Sequence, residues 1–411
     1  MLNIVLLNGG RGAATLIPTL LNQPGVKVTS IVNAYDDGRS TGEIRRFFDM
    51  LGPSDLRKVQ GLMLPEHDAG SANTRALFEH RFPEGVSRAT VLADFAAFCG
   101  GDPALAGIQP INPRIAQALR SFLRYFLAAL PVNETMIGRE FNFSDCALMN
   151  CVYAGAFLAN GRDMEATTLT IDRLFRLRGV VLPNSGDNRW LVAQRENGEI
   201  LKCEADIVEL RSNERIARLF LLERPLDTIR FAALSLADQH RYLDTHHSPV
   251  RASAGVRLAI EQADIVIYCA GTQHSSLFPT YMSHGIAAAI AGNATALKIF
   301  VTNIGADYET PQYRASDFLA GALHYLRLSD AHRYATEDLF SLILVNNSRI
   351  KADETYVEYD EEKFRQFDVE RLVDDLESRE APGKHDGQRV VETILNCFER
   401  ADQRRIHDDR S

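Results

Sequence analysis

Short apolar runs and a glycine turn alternate near the start of the chain. A continuous apolar run at 3–7 is followed by Gly9, Gly10, Arg11 and Gly12, and then by helical spacing of apolar residues over 13–21. A second β-rich run, 26–32, ends in Asn-Ala-Tyr-Asp-Asp-Gly. This order predicts a strand, a glycine loop, a helix and a second, parallel strand. We therefore expect a doubly wound α/β domain.

Helical and β-rich stretches follow. Ser40 and Glu43 have the spacing of a capping box, which predicts a helix that begins there. Residues 89–161 have mostly helical spacing, with breaks expected at 100–103 and at Pro131. Apolar runs at 190–192, 207–210 and 219–222 predict a β-rich region, with Asn197-Gly198 as a hairpin turn. The α/β rhythm resumes with strands at 265–270 and 298–302, a loop at 271–279, and helices at 285–291, from about 315 and at 390–398.

These elements predict a fold class and a domain division. The fold is a Rossmann-like, doubly wound parallel sheet with a helical insertion and a small β-rich inserted lobe. We assign 1–88 and 240–350 to the nucleotide-binding core, 89–178 to the helical insertion and 179–239 to the lobe. Residues 351–411 form an acidic C-terminal segment that is partly helical.

Composition and charge exclude several classes of partner. The 411 residues are 45% hydrophobic and 24% charged, as in folded globular proteins. A net charge of −9 argues against non-specific electrostatic binding to nucleic acid or to an anionic membrane. The segment 351–411 holds 18 acidic and 11 basic residues, a net of −7, which leaves −2 for the rest of the chain. The body of the protein therefore does not strongly repel an anionic ligand.

The cellular location follows from what the sequence lacks. The start of the chain has no basic segment typical of a signal peptide, and no apolar run approaches the length of about 20 residues that spans a bilayer. Six scattered cysteines contain no C-x-x-C pair and favour reduced thiols. We expect a cytoplasmic protein without nucleic-acid or membrane partners, and leave a homo-oligomer open.

Two motifs at strand ends carry the first candidates for chemistry. Glycines at 9, 10 and 12 let backbone N–H groups approach a phosphate where a helix begins, although a tight βα turn alone uses glycine equally well. Asp36 and Asp37 end the second strand, where carboxylates can hold Mg²⁺ or a substrate hydroxyl. The alternative is that Asp-Asp-Gly only forms a turn.

Three further segments combine turns with polar side chains. Residues 52–57 and 184–189 each place an acid near an arginine, so either segment binds phosphate or closes its own turn with an Asp–Arg pair. The predicted loop after the strand at 265–270 offers a second anion site, with His274 as a candidate acid or base. His246-His247 has no partners at metal-ligand spacing.

In these motifs the sequence resembles the CofD/YvcK family, which joins 2-phospho-L-lactate transferases to YvcK-type gluconeogenesis factors. The family's Gly-Gly-Gly-Thr-Gly, Asp-Asp-Gly-Gly-Ser-Ser-Gly-x-x-Arg and Pro-x-Gly-Asp-x-Arg motifs correspond here to 9–12, 36–45 and 53–57. Later matches, at 276–279 and 309–317, are closer to the YvcK-type branch. The chain departs from the family at Arg11, at Ser54, at 146–149 in place of His-Ser-x-Gly, and in a long insertion at 88–142.

The resemblance implies a nucleotide-diphospho ligand, such as a nucleotide sugar, and Mg²⁺. The first hypothesis is a transferase that moves a phosphorylated group from such a donor to an acceptor hydroxyl; the second is a regulator that binds the nucleotide sugar without turnover. A strict G-x-G-x-x-G is absent, which disfavours an NAD(P)-dependent oxidoreductase. The residues assigned are, for catalysis, Asp36, Asp37, Arg45, Asp55 and Arg57, with Asp36 and Asp37 as metal ligands; for the nucleotide and its phosphates, Gly9, Gly10, Arg11, Gly12, Gly271, Thr272, Gln273, His274 and Ser275; and for the substrate, Ser40, Asn150, Asn188 and Asn303.

Overall fold

Ten strands form two sheets in the described part of the chain. The computed structural model describes residues 1–10, 12–65, 71–108, 110–330, 334–352 and 355–408. The strands are β1 (Leu2–Asn8), β2 (Val26–Val32), β3 (Val180–Pro183), β4 (Trp190–Arg195), β5 (Ile200–Leu201), β6 (Ile216–Leu222), β7 (Ile265–Tyr268), β8 (Leu297–Val301), β9 (Leu342–Asn346) and β10 (Glu370–Asp374).

Helices connect and cover these strands. They are α1 (Leu16–Leu21), α2 (Arg39–Phe48), α3 (Ser54–Leu62), α4 (Ser71–Glu79), α5 (Arg88–Gly100), α6 (Pro113–Ile137), α7 (Leu148–Ala159), α8 (Met164–Phe175), α9 (Glu204–Glu209), α10 (Thr228–Ala232), α11 (Leu236–His246), α12 (Ala254–Glu261), α13 (Phe278–Tyr281), α14 (Ile286–Gly292), α15 (Ala315–Ser329), α16 (Thr336–Leu339), α17 (Glu361–Phe364) and α18 (Gly387–Asp408). A short π-helix, Gln273–Leu277, precedes α13. No helix in these ranges is both long enough and apolar enough to cross a membrane.

The larger sheet confirms the predicted fold class. Its seven strands have the order β10-β9-β8-β7-β1-β2-β3, and every neighbouring pair is parallel. Strands β1 and β7, at its centre, are almost entirely buried, as expected for a sheet covered on both faces. The chain leaves β1 toward β2 on one side, whereas β7 leads to β8 on the other. The strand order therefore reverses between β1 and β7, where doubly wound folds open a crevice.

The smaller sheet, β5-β4-β6, is antiparallel and confirms the hairpin predicted at Asn197-Gly198. Its two faces differ, because alternate residues of a strand point to opposite sides. Trp190 and Val192 pack with Phe220 in a core of their own, whereas Leu191 and Ala193 join the main core. The run at 207–210 is not a strand: Ile207 is buried in α9.

At two places, strands from segments that were assigned to different domains pair in the same sheet. Strand β3, at the start of the segment assigned to the lobe, pairs with β2 in the main sheet. Strand β10, in the acidic C-terminal segment, pairs with β9 at the sheet edge. Helix α18 from the same segment packs against α1. The division into domains remains a prediction, but these pairings tie both segments to the core.

Three further local predictions from the sequence were wrong. Pro131 lies inside α6 rather than ending it, because the last turn is held by Arg88, which donates two bonds to Glu134 at 2.9 and 2.7 Å. Ser40 lies inside α2, whose N-cap is Gly38 without a side-chain cap, so the capping box does not form. Residues 273–281 are helical rather than a loop.

Candidate functional site

A cleft of about 840 Å³ opens at the carboxyl ends of β1, β2, β7 and β8, beside the reversal of strand order. It lies where parallel α/β sheets bind their ligands. The cleft brings together nine of the predicted site residues: Gly9, Gly10, Gly12, Asp36, Asp55, Gly271, Thr272, Ser275 and Asn303.

The glycine loop after β1 is packed so closely that side chains are excluded. A Cβ atom on Gly12 would lie 2.1 Å from the carbonyl oxygen of Ala270, and one on Gly9 would lie 2.7 Å from Cβ of Ser276. The backbone N–H groups of Gly9, Gly10 and Gly12 donate to no acceptor among the described residues. They remain available to a ligand, as a phosphate loop requires. Arg11, also predicted to bind phosphate, lies outside the described residues.

In the segment after β7, unlike the glycine loop, backbone N–H groups already have hydrogen-bond acceptors within the chain. Asn303 fixes the peptide of Gly271, since its Oδ1 accepts from the Gly271 N–H and its Nδ2 donates to the Gly271 carbonyl, each at 3.0 Å. The buried Glu309 accepts from the N–H groups of His274 and Ser275, at 3.0 and 2.9 Å, and from the Ser275 hydroxyl at 2.5 Å. These two amides therefore already donate to a carboxyl group of the chain and are not free for a phosphate.

Burial also removes His274 and Gln273 from the cleft. His274 is 1% exposed, and burial lowers its pKa to about 3, so the ring is neutral at physiological pH. Its ring meets Phe278 edge to face. Gln273 donates to the Gly271 carbonyl at 2.8 Å. Neither residue belongs to the described lining of the cleft, and their assignment to the nucleotide remains a prediction.

Three carboxylates make one wall of the cleft acidic. Oδ1 of Asp36 accepts from the Gly38 N–H at 2.8 Å, and its Oδ2 accepts from the Thr41 hydroxyl at 3.1 Å. Asp55 pairs with Lys58 at 2.7 Å. Glu204, from α9, accepts from the Asp37 N–H at 3.1 Å, and burial together with the charge of Asp36 raises its pKa well above the usual range.

Asp37 does not join this wall. Its Oδ2 accepts from Arg46 at 3.1 Å, and its Oδ1 is buried without a hydrogen-bond partner. Burial raises the pKa of this carboxyl, against the opposing effect of Arg45 and Arg46. The described residues contain no group of three or more His, Cys, Asp or Glu side chains arranged to hold a metal ion. The paired metal ligands predicted from Asp36-Asp37 therefore diverge.

Arg45 and Asn188 join the lobe to the core instead of lining the cleft. The fully buried guanidinium of Arg45 donates to the Tyr35 carbonyl at 2.9 Å and to Oδ1 of Asn188 at 3.0 Å. It also lies 4.1 Å from the ring centroid of Trp190. These contacts make Arg45 a structural link between the turn after β2 and the lobe, and its assignment to catalysis remains a prediction.

Three other assigned residues lie behind the cleft wall. Arg57 is buried in α3 and donates to the Phe78 carbonyl. Asn150, at 0% exposure in α7, donates to Ser40 of α2 at 3.3 Å. The structure brings Ser40 and Asn150 together, but neither they nor Arg57 line the cleft.

Several cleft residues were missed by the sequence analysis. Lys58 had a signal, because it lies three residues after Asp55 on a helix. Glu204 and the C-terminal residues had none, since they lie in segments assigned to the lobe and to the acidic segment. The missed lining residues that carry polar side chains are Thr15, Lys58, Glu204, Glu209, Ser276, Lys384 and His385.

The sheet order and the cleft define an α/β protein of Rossmann-like architecture with a candidate ligand site at the switch point. Comparison with known proteins specifies the family. The sequence profile of the family described as "2-phospho-L-lactate transferase CofD" matches residues 4–381. The chain belongs to this family.

Curated relatives and a solved structure are similar to the chain over most of its length. The chain is 25% identical over 398 residues to a protein named "Gluconeogenesis factor" from Halalkalibacterium halodurans, covering 96% of this chain and 95% of that one. It is 23% identical over 372 residues to the gluconeogenesis factor of Bacillus subtilis, covering 90% and 86%. A crystal structure of a UPF0052 family member from Bacillus halodurans has the same fold, with a TM-score of 0.65, 23% identity and coverage of 96% and 100%.

Proposed function

We propose that the chain binds a nucleoside-diphosphate-linked ligand, such as a nucleotide sugar, in the cleft together with Mg²⁺. One observation carries the proposal: a glycine loop with unoccupied N–H groups faces the cleft at the strand-order switch point. Such a loop places several aligned donors against phosphate oxygens. The hydroxyls of Thr272 and Ser276, 2.8 Å apart, stand beside it as further partners.

The charges of the cleft support a role for Mg²⁺. Asp36, Asp55 and Glu209 line it together with Glu204, whose raised pKa favours the protonated form, against the two lysines Lys58 and Lys384. A diphosphate adds negative charge to this acidic lining. Mg²⁺ prefers oxygen ligands and commonly bridges one or two carboxylates and phosphates, so the donor set fits the ion, with Asp36 as the first ligand. When bound, the ion neutralises phosphate charge.

Binding without turnover is the function that the geometry favours. Arg45 and Arg57, expected to offset charge in a transfer reaction, make their described contacts with backbone carbonyls and Asn188, outside the cleft lining. The relatives named above carry the name of a factor rather than of a transferase. We therefore place this chain with ligand-binding regulators of the gluconeogenesis-factor type.

Group transfer is the second candidate, favoured by the family match and by the three carboxylates. In that reaction an acceptor hydroxyl attacks a phosphorus of the diphosphate. A new P–O bond forms, the bond to the leaving nucleoside monophosphate breaks, and the hydroxyl proton passes to a carboxylate of the wall.

A single experiment tests both candidates. The purified chain is incubated with UDP-glucose, GDP-mannose or ADP-glucose, with and without Mg²⁺. The thermal midpoint gives binding and ³¹P NMR gives the fate of each ligand, with glycerol and lactate as test acceptors. We expect a Mg²⁺-dependent rise in midpoint with at least one ligand and an unchanged ³¹P spectrum. Release of nucleoside monophosphate would contradict the regulator hypothesis and support the transferase hypothesis. No rise with any ligand overturns the proposed binding.

A further inference from the structure

One edge of the cleft is built by residues of the acidic C-terminal segment. Residues 381–385, here called the C-terminal strap, contribute Ala381, Gly383, Lys384 and His385 to the lining. The strap is joined to the loop after β8, because the Gly305 N–H donates to the Gly383 carbonyl at 3.0 Å. Immediately after the strap, Gly387 approaches the start of α1 so closely that a Cβ atom would lie 2.3 Å from the Thr15 carbonyl. The strap therefore lies beside the helix that the glycine loop precedes.

A buried carboxylate holds the strap in place. Oε1 of Glu377 accepts from the Gly383 N–H at 2.8 Å and from the Tyr356 hydroxyl at 2.7 Å. Its Oε2 accepts from the Ile350 N–H at 3.1 Å. Burial of Glu377 raises its pKa, but these hydrogen bonds outweigh burial and hold the pKa below the usual range. The carboxylate is thus charged and keeps the strap ordered before a ligand binds.

His385 gives the strap a second anchor. Its side chain is almost fully buried, and burial lowers its pKa to about 4, so the ring is a neutral group packed inside the protein. The neighbouring Lys384 is exposed and belongs to the cleft lining.

The two lysines of the lining differ in their partners. Lys58 is already paired with Asp55 at 2.7 Å, so its charge is largely compensated. Lys384 forms no ion pair with any residue that the structure describes. Because an ammonium group is a compact donor that suits phosphate oxygens, an unpaired lysine at the edge of a phosphate cleft is placed to bind one.

We propose that the C-terminal strap is part of the ligand site and that Lys384 binds the phosphate groups of the nucleoside-diphosphate ligand. This inference rests on the proposed function, since it requires a diphosphate in the cleft. It gives the segment that follows β10 a role in binding: the fixed strap adds an exposed cation to the cleft lining, which also contains Asp36.

The test compares Lys384→Ala with Lys363→Ala in the full chain. Lys363 is an exposed lysine on α17 outside the cleft lining, so its loss changes the net charge of the same segment equally. Calorimetry measures the affinity for UDP-glucose, GDP-mannose and ADP-glucose with Mg²⁺, and for the matching nucleosides. We expect Lys384→Ala to weaken binding of the diphosphate ligand about tenfold, consistent with loss of a charge-assisted bond, and to leave nucleoside binding unchanged. Lys384→Arg should restore most of the affinity, and Lys363→Ala should bind like the wild type.

The outcomes separate this inference from the proposed function. If the wild type binds a diphosphate ligand and Lys384→Ala binds it equally well, the strap lysine is not a phosphate ligand while the proposed function stands. An equal loss for nucleosides also overturns the inference, because the contact would then not be to phosphate. If the wild type binds none of the diphosphate ligands, both proposals fall. Equal midpoints of thermal unfolding for the variants show that the strap remains ordered.

Discussion

The glycine loop and the segment 271–276 are neighbours at the carboxyl edge of the sheet and are both rich in small residues. They differ in whether their backbone N–H groups have acceptors within the chain. Both follow central strands, β1 and β7, and both line the cleft. The N–H groups of Gly9, Gly10 and Gly12 donate to no described acceptor, whereas those of His274 and Ser275 bind Glu309. One segment has donors open to an anion, whereas the donors of the other are already satisfied by a buried carboxyl group of the chain.

The difference shows that a sequence of small residues after a strand does not by itself define a phosphate site. The segment 271–276 has the backbone donors that such a site needs, but Glu309 satisfies two of them from a loop that follows β8. The internal carboxylate turns a potential binding loop into a rigid wall, against which Gly9 and Gly12 can pack closely. The glycine loop then remains as the place where a ligand can find free donors.

The largest effect is expected from removing the internal carboxylate. Glu309→Ala leaves two buried N–H groups and the Ser275 hydroxyl without their acceptor, so we expect a loss of about 4 kcal/mol in the free energy of unfolding. Glu309→Gln retains one acceptor oxygen and should lose less. Urea denaturation of both variants measures this order. Wild-type stability in Glu309→Ala would show that the carboxylate does not hold the segment.

A methyl group in the glycine loop should have the next largest effect. Gly12→Ala forces a Cβ atom against the Ala270 carbonyl, so the two segments must separate; we expect a loss of about 3 kcal/mol in stability and of ligand binding. Gly186→Ala is the matched control, because its Cβ would meet no atom within 4 Å, and it should stay within about 0.5 kcal/mol. Thermal and urea unfolding measure both. Equal stabilities would contradict the close packing of the two segments.

The pH dependence of stability provides a third test of the wall. Burial, with a smaller contribution from Asp307, raises the pKa of Glu309 to about 8 from an ordinary value of 4.5. The native state therefore holds this proton more tightly than the unfolded chain. The stability it contributes is fully present below pH 4.5 and is lost as the pH rises to about 8.

Glu309→Gln cannot titrate, so the free energy of unfolding of the wild type should fall relative to this variant across that window and stay level above it. Urea midpoints between pH 5 and pH 9 measure the difference. A difference that is constant with pH would show that Glu309 keeps an ordinary pKa.

The smallest effect concerns the two adjacent aspartates. Asp36→Asn should weaken Mg²⁺-dependent ligand binding about tenfold, or about 1.4 kcal/mol, because its carboxylate lines the cleft. Asp37→Asn, whose side chain contacts Arg46 instead, should weaken it less than about threefold. Calorimetry at several Mg²⁺ concentrations measures both. A larger loss of binding for Asp37→Asn than for Asp36→Asn would show that Asp37 is the metal ligand.

The sequence predicted the fold more fully than the site. Strand β1, the glycine loop and β2 follow from period and glycine placement, which are local signals. Glu309 could not be assigned, because its partners lie 34 and 35 residues away and only the packing of the loop after β8 against the segment after β7 brings them together. The helix break predicted at Pro131 is absent because a tertiary contact between Arg88 and Glu134 holds the helix beyond the proline.

The placement of single site residues could not be predicted for a similar reason. Asp36 and Asp37 are neighbours in the sequence, but the turn after β2 directs one toward the cleft and the other toward Arg46. Arg45 has the charge expected of a phosphate ligand, yet its donors are used by the Tyr35 carbonyl and by Asn188 of a distant segment. Residue type indicates which chemistry a side chain can perform. The direction in which these side chains point depends on contacts with residues that are distant in the sequence.

Hydrogen exchange tests the central claim most directly, because it compares the two segments in one protein. In the free chain, amides of the glycine loop should exchange fast and those of His274 and Ser275 slowly, since only the latter are bonded to Glu309. Addition of Mg²⁺ with a nucleoside-diphosphate ligand found by the binding panel should protect the glycine loop and leave 274–275 unchanged. Protection that appears at 274–275 and not at the glycine loop would contradict the account.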